Sequence, residues 1–193
     1  IDFSWDFTTQ ALKTIFYICS QDLEIHIKEI EYINQVSKAF SVTKEIRNRF
    51  MRKLIVELQH ESLMTIKDKL DQAERYWLAV LIDKLIGADG NFNYVRELVY
   101  MEYIDSLLIT EPEVSDFAEN KENIKLEMLP KIELPVGLSL KILRFLAIIT
   151  ISEKGLDEQG LNIVKIAAEL LKIEPDKVTE IISGTKAMSI WFD

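Results

Sequence analysis

Three stretches of this chain, 11–19, 77–88 and 140–151, are apolar on almost every side when read at helical spacing. A helix with no polar face has to be surrounded by other elements, so each stretch is expected in the middle of a core. Each is followed by a short polar turn and then an amphipathic helix, over roughly 26–40, 93–109 and 157–172. The last of these shows its stripe plainly, with Leu161, Val164, Ala168 and Leu171 on one side. No alternating pattern reads as a strand before the C-terminal tail.

After each amphipathic helix comes a signal to start another. Ser41-Val42-Thr43-Lys44-Glu45 opens a helix expected through Leu58, with Ile46, Phe50, Leu54 and Leu58 as its stripe. Glu111-Pro112-Glu113 and Glu174-Pro175-Asp176 put proline at the first helical position, where a missing N–H is tolerated. The acids beside it suit the positive end of the helix dipole. With Asp22, Asp89 and Glu153 aligned, Ile25, Phe92 and Leu156 follow three residues later. Phe40, Leu108 and Leu171 then close the second helix of each copy. The acids are 67 and 64 residues apart, which makes three copies of helix, turn, helix and restart. The expected fold is all-α, a compact bundle of about eight to ten helices. A two-repeat body over 1–121 is expected, then a connector over 122–137. A third half-repeat over 138–193 ends in an apolar tail and packs with the rest as one unit. The connector carries Pro130, Pro135 and Gly137 after a charge-dense start.

The turn Ile86-Gly87-Ala88-Asp89-Gly90-Asn91-Phe92-Asn93, which follows an apolar helix, resembles the signature turn of the TerB-like tellurite-resistance family. In that family the turn reads Ala-Asp-Gly, a variable residue, an apolar residue, a cap residue and then Glu, twice in a pseudo-symmetric helical domain. Here the second copy is the clear one, with Phe92, Asn93 and Glu97. The first, Asp22-Leu23-Glu24-Ile25-His26 with Glu29, keeps both acids and loses the glycine. The resemblance spans roughly residues 8–121. Glu97 falls one residue later after its aspartate than Glu29 does, and Gly160 holds the glutamate's place in the third copy. The resemblance implies a bacterial stress-response setting and a divalent cation, calcium or manganese, at Asp22, Glu29, Asp89 and Glu97.

Helix capping is the competing reading of the same residues. Asn93 and Asp157 are good N-caps, and Glu29 lies three residues after His26, as in a capping box. The aligned aspartate fits capping less well, because it sits near the negative pole of the helix before it. The turn is not an EF-hand. Tyr94 stands where that loop requires Gly, and Tyr100 where it requires a bidentate Glu.

The formal net charge is −9 and the pI about 4.9, which argues against binding nucleic acid. Against that background Lys44, Arg47, Arg49, Arg52 and Lys53 make one helix locally basic, either as a solvated face or as a contact for an anionic partner or lipid head group. Cys19 is the single cysteine and reads as a buried, inert thiol. With only His26 and His60, a multi-histidine zinc site is ruled out. Nucleophile-elbow, phosphate-loop and zinc-protease motifs are missing. No apolar run approaches the ~20 residues that span a bilayer. Residues 1–10 do not read as a signal peptide.

The tail alternates Met188, Ile190 and Phe192 with Ala187, Ser189 and Trp191, a period unlike that of the helices. Its apolar residues are expected to dock, on the chain's own body or in a homodimer through Ile190, Trp191 and Phe192. The function expected is a non-enzymatic interaction module for a protein partner. It is expected in the cytoplasm, with peripheral contact at the inner face of a membrane. A metal-dependent hydrolase using the turn carboxylates, or a carrier of an apolar ligand, are the alternatives.

Overall fold

Helical periodicity and cap residues divide the chain into nine α-helices among the residues that the computed structural model describes, 5–20, 26–88, 94–152 and 155–192. They are α1 (Trp5–Cys19), α2 (Ile27–Ala39), α3 (Lys44–Lys67), α4 (Gln72–Gly87), α5 (Tyr94–Leu107), α6 (Glu111–Asn120), α7 (Val136–Ile149), α8 (Glu158–Leu170) and α9 (Pro175–Ser189). A 3₁₀ turn covers Leu126–Met128. A minimal antiparallel hairpin, β1 (Ile151–Ser152) with β2 (Gly155–Leu156), lies in the third helix-connecting turn. The fold is all-α, and in chain order the helices of the described residues fall into three sets of three, α1–α3, α4–α6 and α7–α9.

The outer two units share a backbone detail that the sequence does not advertise. Ser41 and Lys172 both take a left-handed φ of 55°, each just after the end of the second helix of its unit. The Val42 N–H donates to the Ser37 carbonyl (3.0 Å), and the Ile173 N–H to that of Ala168 (2.9 Å). Both helices therefore end in a six-residue closing bond that satisfies an otherwise orphaned carbonyl. Each left-handed residue lies nineteen positions after its aligned acid. In the middle unit the Leu108 N–H bonds Ile104 instead, and no left-handed residue follows.

Helix α7 is the axis of packing, touching α3, α4, α8 and α9, while α4 rests on α5, α7 and α8. The larger core gathers Leu78, Leu81, Ile82, Ile142, Phe145 and Leu146. The smaller one gathers Leu12, Phe16, Ile33, Met51, Ile55 and Trp191. Two of the three apolar helices, α4 and α7, accordingly lie in the interior, with Phe145 only 2% exposed. The third does not. Among the described side chains of α1 only the stripe Thr8, Leu12 and Phe16 is buried, continued by Ser20, while Phe7, Tyr17 and Ile18 are exposed. Helix α1 packs chiefly on α2 and onto the smaller core, and from its exposed side the Tyr17 hydroxyl donates to Glu57 Oε2 of α3 at 2.9 Å.

Other expectations are corrected in detail. Helix α3 continues past Leu58 to Lys67, because Ser62, Leu63 and Ile66 prolong its buried stripe. Pro112 is the second helical residue rather than the first, because Thr110 is the N-cap. Helix α7 starts at Val136, two residues before the expected boundary. The segment before it is packed, with Ile124, Leu126, Leu129, Ile132 and Leu134 against the larger core. Its Ile132 N–H donates to the Leu170 carbonyl at 3.0 Å. The tail is not extended: α9 stays helical to Ser189, followed by a turn. Met188 and Trp191, three residues apart, thus face one side and enter the smaller core.

Candidate functional site

Of the four acids that could hold a cation, Asp22 and Asp89 lie outside the described residues, as does the side chain of Glu97. Glu29 sits in the first turn of α2, half-buried, and its Oε2 accepts the His26 N–H at 2.7 Å. That N–H is one of the donors a helix start leaves without an intrahelical partner. Burial, and after it the nearby Glu29 carboxylate, push the Cys19 thiol upward, so it stays protonated and weakly nucleophilic. In the third turn Asp157 caps α8 outright. Its Oδ1 accepts the Gln159 N–H and its Oδ2 the Gly160 N–H, both at 3.0 Å. A Cβ at Gly160 would stand 2.7 Å from Asp157 Oδ2, so a larger residue there would displace the capping carboxylate. Such a cap contributes about 0.5–2 kcal/mol. Among the described residues no group of three or more His, Cys, Asp or Glu is placed to hold a metal ion. Asp83, the one acid in the apolar run of α4, is ion-paired with Lys121 at 3.0 Å. Lys84 donates to the Lys121 carbonyl at 2.7 Å, closing the end of α6.

The basic helix divides in two. Arg47 donates through Nε (3.1 Å) and Nη2 (2.9 Å) to Asn48 Oδ1. Asn48, itself buried, donates through Nδ2 to the Ile190 carbonyl (3.1 Å). One turn further along α3, Arg52 Nε donates to the Trp191 carbonyl at 2.9 Å. Carbonyls at a helix C-terminus lack intrahelical donors and carry the negative end of the dipole, so an amide and a guanidinium from α3 satisfy both needs of α9. Trp191 is fully buried, and its Nε1 donates to Asn34 Oδ1 at 2.9 Å. Trp191 is thus committed to its own chain and presents no surface to a partner. Ile190 remains partly exposed and Phe192 half-buried. The linking residues Asn34 and Asn48 escaped the sequence reading; an asparagine on the buried stripe of a helix was the available signal.

Lys44, Arg49 and Lys53 are exposed and make no ion pair among the described residues. Arg49, Lys53, Val56 and His60 recur at helical spacing and are all exposed, so they form a strip along α3 that is basic at one end. Val56 is 47% exposed.

A cavity of about 150 Å³ opens where α9 crosses α3 and α7 beside the start of α2. Leu58, Phe145, Ile148, Ile181 and Met188 form its apolar walls, and His26, Arg144 and Glu180 its polar edge. The Glu180 carboxyl is held below the usual range, chiefly by the Lys177 ammonium at 2.8 Å, with Arg144 and His26 adding to it. Gln59 borders the same cavity and is 5% exposed. Its Nε2 donates to the Phe145 carbonyl at 3.3 Å, while its Oε1 is buried with no donor. An unmet buried carbonyl of this kind costs about 1–3 kcal/mol. Sequence reading missed this site because its residues come from four separate helices. No helix among the described residues is long and apolar enough to cross a membrane. Compared with family models, with curated proteins and with solved structures, the chain matches none.

Proposed function

We propose that this chain is a non-enzymatic helical module that binds an acidic protein segment along the outer strip of α3. The observation that carries the reading is the division of the basic helix. Arg47 bonds the Asn48 side chain and Arg52 the Trp191 carbonyl, whereas Lys44, Arg49 and Lys53 stay exposed and without an ion pair among the described residues of a chain of net charge −9. Unpaired cations on a rigid helix steer an anionic surface and fix its register more than they add raw affinity. Val56 supplies an apolar contact beside them. Likeness to the TerB-like family, with its stress-response setting, belongs to the same proposal. It rests on Ala88-Asp89-Gly90 and Phe92, and the threefold recurrence of helix, turn and helix supports it.

Titration with polyglutamate, followed by fluorescence anisotropy, tests the reading. Binding should weaken as salt rises, and the triple variant Lys44→Glu/Arg49→Glu/Lys53→Glu should lose at least about tenfold in affinity with its melting temperature nearly unchanged. Equal affinity of the variant and the parent chain rejects the strip as the contact. Binding to phosphatidylserine vesicles with none to polyglutamate rejects a protein partner in favour of a membrane surface.

A further inference from the structure

We infer that the groove between the starts of α4 and α6 is a docking site for an extended peptide segment that carries lysine or arginine beside apolar residues. The groove holds about 860 Å³, within the roughly 300–1,000 Å³ of sites that take organic ligands, and it is open to solvent rather than enclosed. Tyr76, Pro112, Leu129 and Pro130 are among its apolar walls. Its charged residues are Asp71, Glu113 and Asp116, and none of the described residues lining it is basic.

These three carboxylates are hydrogen-bonded without being neutralised. Asp71 Oδ1 accepts the Glu74 N–H at 2.9 Å, and Asp116 Oδ1 accepts the Asn120 amide at 2.9 Å. The Tyr76 hydroxyl bonds Asp116 as well. Glu113 takes the Thr110 N–H and hydroxyl, which hold its carboxyl below the usual range, and the Gln72 amide. All of these partners are neutral groups, so three like charges border an apolar space with no ion pair among the described residues. Asp71 and Asp116 are exposed, within reach of an entering chain. Among the described residues no three acids are placed to hold one metal ion, so the complement is a set of separate cations.

Lysine and arginine fit such a place, because their aliphatic stems lie along apolar surface while the charged head stays in water. Here the stems would cover Tyr76, Leu129 and the two prolines, and the heads would meet the carboxylates. The walls are also tied together before anything binds. Gln72 bonded to Glu113, Tyr76 bonded to Asp116, and the edge-on contact of Tyr76 with Phe117, 5.7 Å between ring centres, join α4 to α6. A preformed groove spares part of the ordering cost of binding. This site uses no residue of α3, so it and the proposed surface for an acidic segment can fail separately.

A fluorescein-labelled octapeptide of alternating lysine and proline is the probe, titrated into the full chain by anisotropy and by backbone amide NMR. It should bind saturably and more weakly as salt rises, and should shift the amide signals of Gln72, Tyr76 and Leu129 most. Asp71→Asn/Asp116→Asn removes two charges and keeps the acceptors, asparagine being as good an N-cap as aspartate. This variant should lose at least about tenfold in affinity. Glu158→Gln/Glu169→Gln removes as much charge from exposed positions on α8 and should lose less than about twofold. A lysine–serine octapeptide of equal charge should bind at least about fivefold more weakly, since it lacks the apolar part. The inference is overturned if the shifts lie elsewhere, if the two variants bind alike, or if the two peptides bind alike. Unchanged binding by folded Asp71→Asn/Asp116→Asn, checked by its melting curve, overturns it as well.

Discussion

The starts of α4 and α6 in the middle unit and the end of α9 in the last solve the same problem, unpaired backbone groups at helix ends, by opposite means. In the middle unit the answers are local. Asp71 and Glu74 close the start of α4 reciprocally, at 2.9 and 2.8 Å. Thr110 and Glu113 do the same for α6, where Glu113 Oε2 collects the N–H groups of Ile109 (3.0 Å) and Thr110 (2.8 Å) and the Thr110 hydroxyl (2.9 Å). In the outer units the end of α9 is satisfied by Asn48 and Arg52 of α3, more than a hundred residues away in sequence. Local caps stabilise a helix wherever it goes. A distant cap stabilises only the assembled fold, and so makes the first unit and the third conditional on each other.

Breaking the long-range tie should have the largest effect. Trp191→Ala removes a fully buried indole and strands Asn34 Oδ1. A loss of about 3–5 kcal/mol is expected, read from urea denaturation. Trp191→Phe should cost clearly less. A loss below about 1 kcal/mol for Trp191→Ala would mean that the tail is a passenger and that the smaller core closes without it.

The two kinds of cap also account for how much the sequence could reveal. Apolar runs and restart signals are local, so the all-α class, the approximate number of helices and most of their approximate bounds were legible. The Thr110 cap was misplaced by only one position, through Pro112. What was not legible depended on chain segments meeting in space. Residues 187–192 alternate in sequence, but α9 keeps its helix because the walls of the smaller core and the α3 donors receive it. Likewise α1 reads as apolar all round, yet the assembled units leave one of its sides uncovered. The basic helix looked uniform until its neighbours divided it. Gln59, at the cavity, carries no signal of its own in the sequence.

Next in size is the contrast inside α3. Arg52→Ala leaves the Trp191 carbonyl without its charged donor and should cost about 1.5–3 kcal/mol. Arg49→Ala, one turn away and exposed, should stay within about 0.5 kcal/mol. Thermal unfolding of the pair checks this. Equal effects would erase the division between structural and free cations on which the proposed partner surface rests.

Local caps come next. Thr110→Ala should cost about 1 kcal/mol, without spreading to the smaller core. Glu113 adds a pH signature. The Thr110 N–H and hydroxyl, with further help from Gln72 and Ile109, hold its carboxyl below the usual carboxylate range, and burial opposes them only in part. A carboxyl lower in the folded chain than in the unfolded one favours folding above the unfolded pKa. That contribution fades as pH falls through the folded value. Acid unfolding of Glu113→Gln should therefore show a shallower loss of stability below about pH 4.5 than the parent chain shows. Parallel curves for the two would reject the network as the cause.

The smallest effect expected is a gain, and it separates the units by sign. Ser41 holds a left-handed φ of 55° at the end of α2, a conformation that strains any side chain with a Cβ. Its side chain is exposed. Ser41→Gly should relieve that strain at the expense of a more flexible unfolded chain, for a net gain of about 0.5–1 kcal/mol. In the middle unit the residue just past α5, nineteen positions after Asp89, is Leu108, buried in the larger core and without a left-handed neighbour. There the same change to glycine removes packing and relieves nothing, so Leu108→Gly should lose about 2–5 kcal/mol. Opposite signs in chemical denaturation would establish that the outer helices end on a backbone device that the middle unit lacks. A loss at Ser41 would show that its hydroxyl, not its backbone, had been closing the turn.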